Sequence, residues 1–326
     1  SRVVSNQIVP IICQSDLTTV LAFLIEADGL VLIDSGGSGD PRGPIAAALR
    51  DRGHELSQLR TIVHTHGHWD HAGGDAAVRA ATEVEIMIHE AGEPLLSDPH
   101  RHLAGYATDA LRLLAQQTDL DEIVDGFPAR FGGAVTANRL LHDGDEIDLG
   151  AGVVLTVIDV PGHSADHVAL YWASAGVLFA GDAAQGTGSR RGGCPLYFES
   201  VRQARASISR LRQVPFRTLY LSHPFGRLQS DQRATSYSTA EGDAFLRESL
   251  EALTMMEEAM QSTRSLPAET PFLDRAQAAT AHLQQTAPWP LQLHPVAGVP
   301  SSAAPTFARI WQEIEPGAQP AARTTR

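Results

Sequence analysis

The stretch THGHWDHAGG, from Thr65 to Gly74, places three imidazoles and one carboxylate within six residues. It follows the β-branched run RTIVH, which is typical of a strand, and precedes DAAVR, where a helix is expected to begin. A loop between such elements lets closely spaced side chains converge, which is the arrangement that metal ions need. The loop offers four ligand-type side chains, namely His66, His68, Asp70 and His71. We expect the first two to bind one ion and the last two to bind a neighbouring ion.

Two ions need more ligands than one loop supplies, and suitable residues follow other strand-like runs. His163 lies in a Pro-Gly turn after the run 153–158 and is expected to complete the first site. Asp182 follows the short run VLFA and is a candidate bridging carboxylate, while His223 follows TLYLS and is assigned to the second ion. Asp34, at the end of LVLI, is expected to orient a metal ligand rather than to bind metal itself.

These motifs resemble those of the metallo-β-lactamase superfamily in order and spacing. The matching stretches are IDSG at 33–36, HGHWDH at 66–71, PGH at 161–163, GD at 181–182 and SHP at 222–224. The resemblance covers roughly residues 5–260 and implies an α/β fold, a four-layer αββα sandwich built from two similar halves. It also implies a dinuclear metal site at one edge of the sandwich.

Two narrower resemblances concern the substrate. The segment HVALYWASAGVLFAGDAAQGTGS, at 167–189, looks most like lactamase-beta-like 2 proteins and the hydrolytic thioesterases of aromatic polyketide pathways. The stretch THGHWDHAGG also resembles glyoxalase II. Both resemblances imply hydrolysis of a small acyl substrate.

The composition agrees with an enzyme that acts on a small molecule. The chain has 326 residues, 43% of them hydrophobic, and no apolar run approaches the roughly 20 residues of a membrane span. Its two cysteines, Cys13 and Cys194, exclude a disulfide scaffold and favour a cytoplasmic location. A net charge of −13 argues against a broad nucleic-acid-binding surface.

All 25 positive side chains are arginines, since the sequence contains no lysine. This excludes a Schiff-base lysine and a Walker-type phosphate lysine. It also removes the lysine that many true β-lactamases use to hold the substrate carboxylate. Asp182 stands where one lactamase subclass has a cysteine ligand, so lactam hydrolysis is a minor candidate.

Seven arginines and one acid, Glu199, lie between Arg190 and Arg217. If residues 200–213 form a helix, one face of it carries Arg202, Arg205 and Arg212. This face is a candidate site for an anionic carrier such as coenzyme A or an acyl carrier protein. A solvated helix face is the alternative.

The remaining segments are expected to shape or flank the site. Residues 95–140 form the longest interval between motifs and predict a lid or pocket wall. His100 and His102 in this interval are expected to be surface histidines, with secondary contacts to metal or substrate as the alternative. Helices are predicted over 240–261, 272–285 and 305–314, and nine of the 19 prolines lie from Pro267 onward. We therefore predict a hydrolase domain at 1–262 and a Pro-rich, partly helical extension at 263–326. The extension is expected to wrap the domain or to contact a second subunit in a homodimer.

The predicted site favours a hydrolase that binds two metal ions. Zinc is the expected metal, and iron or manganese is the alternative. A water shared by the ions would lose its proton near neutral pH and act as the nucleophile. Asp70 and Asp182 are the predicted catalytic carboxylates, and Tyr197 is a candidate hydrogen-bond donor to the oxyanion, with packing as its alternative role. The expected substrate is an ester, thioester or lactone, with an acyl thioester favoured. Phosphodiester cleavage, as in related endoribonucleases, and iron-dependent persulfide oxidation remain alternatives.

Overall fold

The computed structural model describes residues 7–15, 18–104, 131–187 and 193–317. Within these ranges the chain forms two six-stranded sheets that face each other, with helices on both outer surfaces. This is the predicted αββα sandwich. Most of the segment predicted to form a lid, residues 105–130, lies outside the described residues.

The first sheet has the strand order β1-β2-β3-β4-β5-β6. β1 to β3 pair antiparallel, and β3 to β6 pair parallel. The parallel strand β3 is a short apolar run buried on both faces, and β4 is buried except at Arg60, as expected for the centre of such a sheet. The strand bounds are β1 Ile8–Ser15, β2 Thr18–Glu26, β3 Leu30–Ile33, β4 Leu59–Val63, β5 Glu85–His89 and β6 Arg139–Leu141.

The second sheet has the order β12-β11-β10-β9-β8-β7 and is antiparallel except for the parallel pair β10 and β11. Its bounds are β7 Glu146–Asp148, β8 Val154–Asp159, β9 Val168–Trp172, β10 Val177–Phe179, β11 Thr218–Arg227 and β12 Ser230–Ser238. We expected the β11 strand to end before His223. It instead continues through an irregularity between Tyr220 and Phe225, so His223 lies in a strand interruption.

Nine helices accompany the sheets in the described part of the chain. They are α1 Pro44–Asp51, α2 Trp69–Ala72, α3 Asp75–Ala81, α4 Glu93–Ser97, α5 Arg101–Ala104, α6 Val201–Leu211, α7 Thr239–Ser262, α8 Phe272–Thr286 and α9 Ala303–Ile314. Short 3-10 turns occur at Asp40–Arg42, Leu56–Gln58, Glu90–Gly92 and Thr263–Ser265. The helices predicted from sequence in the C-terminal third agree with α7, α8 and α9 to within two residues.

Alternation of side chains along the strands divides the apolar residues among three cores. The central core lies between the sheets and includes Phe23, Val63 and Phe179. A second core joins the outer face of the first sheet to α1, α3 and α4. The third core joins the outer face of the second sheet to α6, α7, α8 and α9.

The C-terminal extension belongs to this third core. Phe272, Leu283, Trp289 and Phe307 are buried together with residues of α6 and α7. The guanidinium of Arg275 also lies 4.3 Å from the centre of the Trp311 ring, within cation-π range. The extension therefore packs against the helices that cover the outer face of the second sheet.

Candidate metal centre

The histidine motif begins where β4 ends and reaches the N-terminus of α3. Its first part is extended, whereas Asp70 and His71 lie on the single turn of α2. Gly74, which follows this turn, is needed for close packing, because a Cβ there would lie 2.2 Å from the carbonyl oxygen of Ser35. The turn is thereby held against the end of β3, which carries Asp34.

Side chains from four separate segments meet at this turn. Their potential ligand atoms form three groups, in each of which all atoms lie within 4.8 Å of one another. The groups are His66 with His68 and His163; His66 with His71 and Asp182; and Asp70 with His71 and His223. All seven residues predicted as ligands are thus brought together.

Asp182 lies at the centre of this arrangement. Its Oδ2 atom is 3.1 Å from Nε2 of His223, 3.4 Å from Nε2 of both His71 and His163, and 4.0 Å from Nε2 of His66. Asp70 Oδ2 lies 3.5 Å from Nε2 of His223. One carboxylate oxygen therefore faces ligands from both predicted ion sites.

Backbone carbonyls fix which imidazole nitrogen faces the centre. His163 donates from Nδ1 to the carbonyl oxygen of Leu196 at 2.7 Å, and His223 donates from Nδ1 to that of Thr19 at 2.6 Å. Because a carbonyl only accepts, Nδ1 must carry a proton in both rings, so in the neutral form of each ring the Nε2 lone pair is directed inward. This is the tautomer that binds metal in histidine sites.

Buried polar atoms without partners show that the residues present fit a metal ion. Among the described residues, Nε2 of His66 and Oδ1 of Asp182 are buried and form no hydrogen bond. Such atoms are costly unless a further partner satisfies them. Imidazole nitrogens and carboxylate oxygens at this spacing are the donor set that divalent transition metals prefer.

Burial also sets the protonation states that ligation requires. It lowers the pKa of His66, His68 and His163, which favours the neutral imidazole. Burial opposes ionisation of Asp182, but His223 and His71 hold the pKa of this carboxyl well below its usual range. His66, His68 and His163 are therefore neutral nitrogen donors. At His71 and His223 burial also opposes the charged form, but Asp182, together with Asp70 at His71, raises the pKa of both rings, so each must release a proton when it binds metal.

Asp34 orients one of these histidines. Its Oδ2 atom accepts hydrogen bonds from Nδ1 of His71 at 2.9 Å and from the Thr65 hydroxyl at 2.7 Å, while Oδ1 accepts the Thr65 amide. Its backbone has a φ of 58°, in the left-handed region that residues other than glycine rarely adopt. The side chain is fully buried, so the structure places Asp34 behind His71, where a ligand-orienting residue is expected.

A buried pair lies behind Asp34 that the sequence did not reveal. Nε2 of His64 is 2.8 Å from Oδ2 of Asp75, and Nδ1 of His64 is 3.3 Å from Oδ1 of Asp34. Ser35 donates its hydroxyl hydrogen to Asp75 at 2.7 Å. Although burial alone would lower the pKa of His64, Asp75 and Asp34 raise it to about 10. His64 is therefore an imidazolium between two carboxylates.

Two further histidines contact the centre. Nε2 of His167 accepts the backbone N–H of Asp182 at 2.9 Å, and its ring stacks on His66 with centroids 4.5 Å apart. His102 was expected at the surface, but this was wrong. It is buried, its Nε2 accepts the backbone N–H of Trp69 at 2.9 Å, and its ring lies 5.3 Å from that of His68. His100, by contrast, is exposed.

Tyr197 occupies a position that does not suit the oxyanion role considered from sequence. The side chain is fully buried, its hydroxyl donates to the carbonyl oxygen of Ala183 at 3.2 Å, and it accepts the Gln185 amide at 3.2 Å. Because both contacts are with backbone groups of the loop after Asp182, Tyr197 supports this loop instead. Cys194 is also buried, and burial raises the pKa of its thiol to about 12, which fits an unreactive residue.

The arginine-rich helix does not present the open basic face that was predicted. Arg205 pairs with Glu257, and Arg212 pairs with Asp243 at 2.8 Å. The sequence showed only the local charge, because these acids lie on α7, 52 residues after Arg205 and 31 residues after Arg212. The proposed docking of a coenzyme A or acyl-carrier phosphate on Arg202, Arg205 and Arg212 therefore loses its support.

Comparisons with known proteins agree with this fold and site. The profile of the Metallo-beta-lactamase superfamily matches residues 16–223. The chain therefore belongs to the metallo-beta-lactamase superfamily, which confirms the resemblance seen in its motifs. Among solved structures, a metallo-beta-lactamase family protein from Thermus thermophilus is 21% identical, with a TM-score of 0.68 over 94% of this chain and 93% of that chain.

Two curated relatives share one name. A hydroxyacylglutathione hydrolase of Cereibacter sphaeroides is 31% identical over 55% of this chain and 52% of its own length. Another, from Methylococcus capsulatus, is 29% identical over 70% of this chain and 73% of its own length. The chain thus spans about half the length of the first of these relatives.

In the described part of the chain, none of the helices combines the length and apolar composition needed to cross a membrane.

Proposed function

We propose that this protein, a metal-dependent hydrolase of the superfamily, binds two divalent ions and hydrolyses a small acyl thioester. The observation that carries the proposal is the convergence of the seven ligand-type side chains on the Asp182 carboxylate. One ion would be held by His66, His68 and His163, and the other by Asp70, His71 and His223. Asp182 would lie between them, and zinc is favoured by the nitrogen and oxygen donors.

Bound divalent metal would act as a Lewis acid toward the acyl oxygen and the leaving group and would make water acidic enough to attack near neutral pH. The protein's own part is to fix the donors. His163 and His223 are held by main-chain carbonyls and His71 by Asp34, so the inward-facing nitrogens are set before substrate arrives. No protein nucleophile is needed, which agrees with the buried thiol of Cys194.

The walls beside the ligands are suited to excluding water. The ring of Phe198 lies 5.6 Å from His68 and 5.4 Å from His163, and the ring of Phe225 lies 5.9 Å from His223. Apolar walls lower the local dielectric and strengthen the interactions between charges inside the site.

Two considerations support a thioester. The relatives described above are named hydroxyacylglutathione hydrolases, a name that describes cleavage of a glutathione thioester. A thiolate is also a good leaving group that zinc stabilises directly. The net charge of −13 disfavours the polyanionic substrate of a ribonuclease.

A substrate panel tests this proposal. Zinc-loaded protein is assayed with S-lactoylglutathione, an acyl-coenzyme A, an N-acetylcysteamine thioester, a lactone and a short RNA. We expect turnover of at least one thioester, its loss on chelation and its return with added zinc. Lactone or RNA cleavage without thioester turnover would reject the thioester assignment. Activity only in iron-loaded protein with a persulfide would replace hydrolysis by oxidation.

A further inference from the structure

We propose that α9 of the C-terminal extension positions the metal ligand His163, with Thr306 as the central positioning residue. This inference rests on the proposed metal site, because it concerns how one of its ligands is oriented. The extension would then act on the site through the loop at 193–200, which lies between α9 and the Pro-Gly turn that carries His163.

The connection begins at the carbonyl oxygen that His163 uses. Nδ1 of His163 donates to the Leu196 carbonyl at 2.7 Å, so the direction of this carbonyl sets the rotation of the ring. The Thr306 hydroxyl binds the backbone on both sides of Leu196. It donates to the carbonyl oxygen of Pro195 at 2.8 Å and accepts the amide N–H of Tyr197 at 2.9 Å.

Thr306 belongs to a stripe of polar side chains that follows the loop. Ser302 accepts the Cys194 amide at 3.0 Å, Arg309 donates from Nε to the Phe198 carbonyl, and Glu313 accepts the Ser200 hydroxyl at 2.6 Å. The stripe consists of Ser302, Thr306, Arg309 and Glu313, whose separations of four, three and four residues place them on one helix face. Positions along the loop from Cys194 to Ser200 are thus held by side chains that begin at the N-cap of α9 and continue along the helix.

The other side of the loop is bonded to the turn itself. The Phe198 amide donates to the carbonyl oxygen of His163 at 3.2 Å, and the Glu199 amide donates to that of Gly162 at 3.1 Å. Gly162 has a φ of 141°, and a Cβ there would lie 2.5 Å from the backbone of Ala204 on α6. The turn therefore has little room to move, and the loop transmits the position of α9 to it.

Burial makes this connection strong. Thr306 and Phe307 are fully buried, and Phe307 shares the third core with Tyr197 and Val201. In such surroundings, a lost hydrogen-bonding hydroxyl leaves a carbonyl and an amide unsatisfied, since water cannot replace it. Groups that orient a metal ligand typically change metal affinity by roughly 10- to 100-fold when they are removed.

Thr306→Val tests the inference, because it keeps the side-chain shape and removes both hydrogen bonds. Thr280→Val is the matched control, since Thr280 is equally buried on α8 but bonds only the Ala276 carbonyl of its own helix. Zinc affinity is measured by competition with a chromophoric chelator, and amide hydrogen exchange is followed in the metal-free proteins. We expect Thr306→Val to weaken zinc binding by roughly 10-fold and to speed exchange of the Tyr197 amide.

Thr280→Val is expected to bind zinc as the wild type does, and Thr306→Ser, which retains the hydroxyl, is expected to restore affinity. If Thr306→Val does not fold, Arg309→Met, which removes the donor to Phe198, is expected to weaken binding in the same direction. If a folded Thr306 or Arg309 variant binds zinc as tightly as the wild type, this inference is overturned while the proposed function stands. A wild-type protein that binds no zinc would instead reject the proposed function and this inference with it.

Discussion

Replacing Asp182 by alanine is expected to lower turnover by about 10³-fold or more. The carboxylate faces histidines of both proposed ion sites, so its loss removes a shared ligand and the charge that balances the ions. Metal-ion stabilisation of a transition state is worth several kcal/mol, and each 1.36 kcal/mol corresponds to a factor of ten in rate. Stability of the metal-free protein should change only within the ordinary range of about 0.5–3 kcal/mol.

The measurement is steady-state turnover of zinc-saturated protein, with urea unfolding of the metal-free form. Asp243→Ala is a control, because its exposed carboxylate pairs with Arg212 at the C-terminal end of α6, and its loss should leave turnover unchanged. Normal turnover by the Asp182 variant would show that the carboxylate does not hold the reacting ions.

Replacing His64 by leucine is expected to destabilise the protein by about 3–5 kcal/mol. The imidazolium lies between Asp34 and Asp75, and its removal leaves two carboxylates buried without their shared cation. Because Asp34 also holds His71, we expect weaker binding of the second ion in the folded fraction.

A double variant tests whether the lost stability comes from the broken ion pair. His64→Leu combined with Asp75→Leu removes the cation together with one of its anions, so it should recover part of the lost stability. Urea unfolding of the metal-free proteins measures this recovery. A cost below about 1 kcal/mol for His64→Leu, or a double variant that merely adds the two single losses, would contradict the ion pair described here.

The convergence of the candidate ligands could be predicted from sequence because each lies within a few residues of an apolar strand. His66, His163, Asp182 and the other ligand-type residues follow runs whose burial the sequence indicates, and sandwiched sheets bring several strand ends to one edge. Asp34 was predicted for the same reason. The fold could thus be predicted from the motifs and their order, through their resemblance to the superfamily.

What the sequence did not reveal depends on contacts between distant segments. His64 meets Asp34 thirty residues away, and the Leu196 carbonyl that orients His163 is a backbone group with no sequence signature. Thr306 lies 109 residues from Tyr197 along the chain. The arginines of α6 were interpreted from sequence as an open basic face. This was wrong because the acids that neutralise Arg205 and Arg212 lie on another helix.

Anomalous diffraction at the zinc edge, from crystals of fully loaded protein, tests the central claim most directly. Two peaks are predicted in each protein molecule. One should lie among His66, His68 and His163, the other among Asp70, His71 and His223, with Asp182 between the two. A single peak, with His223 turned away from it, would contradict the dinuclear site.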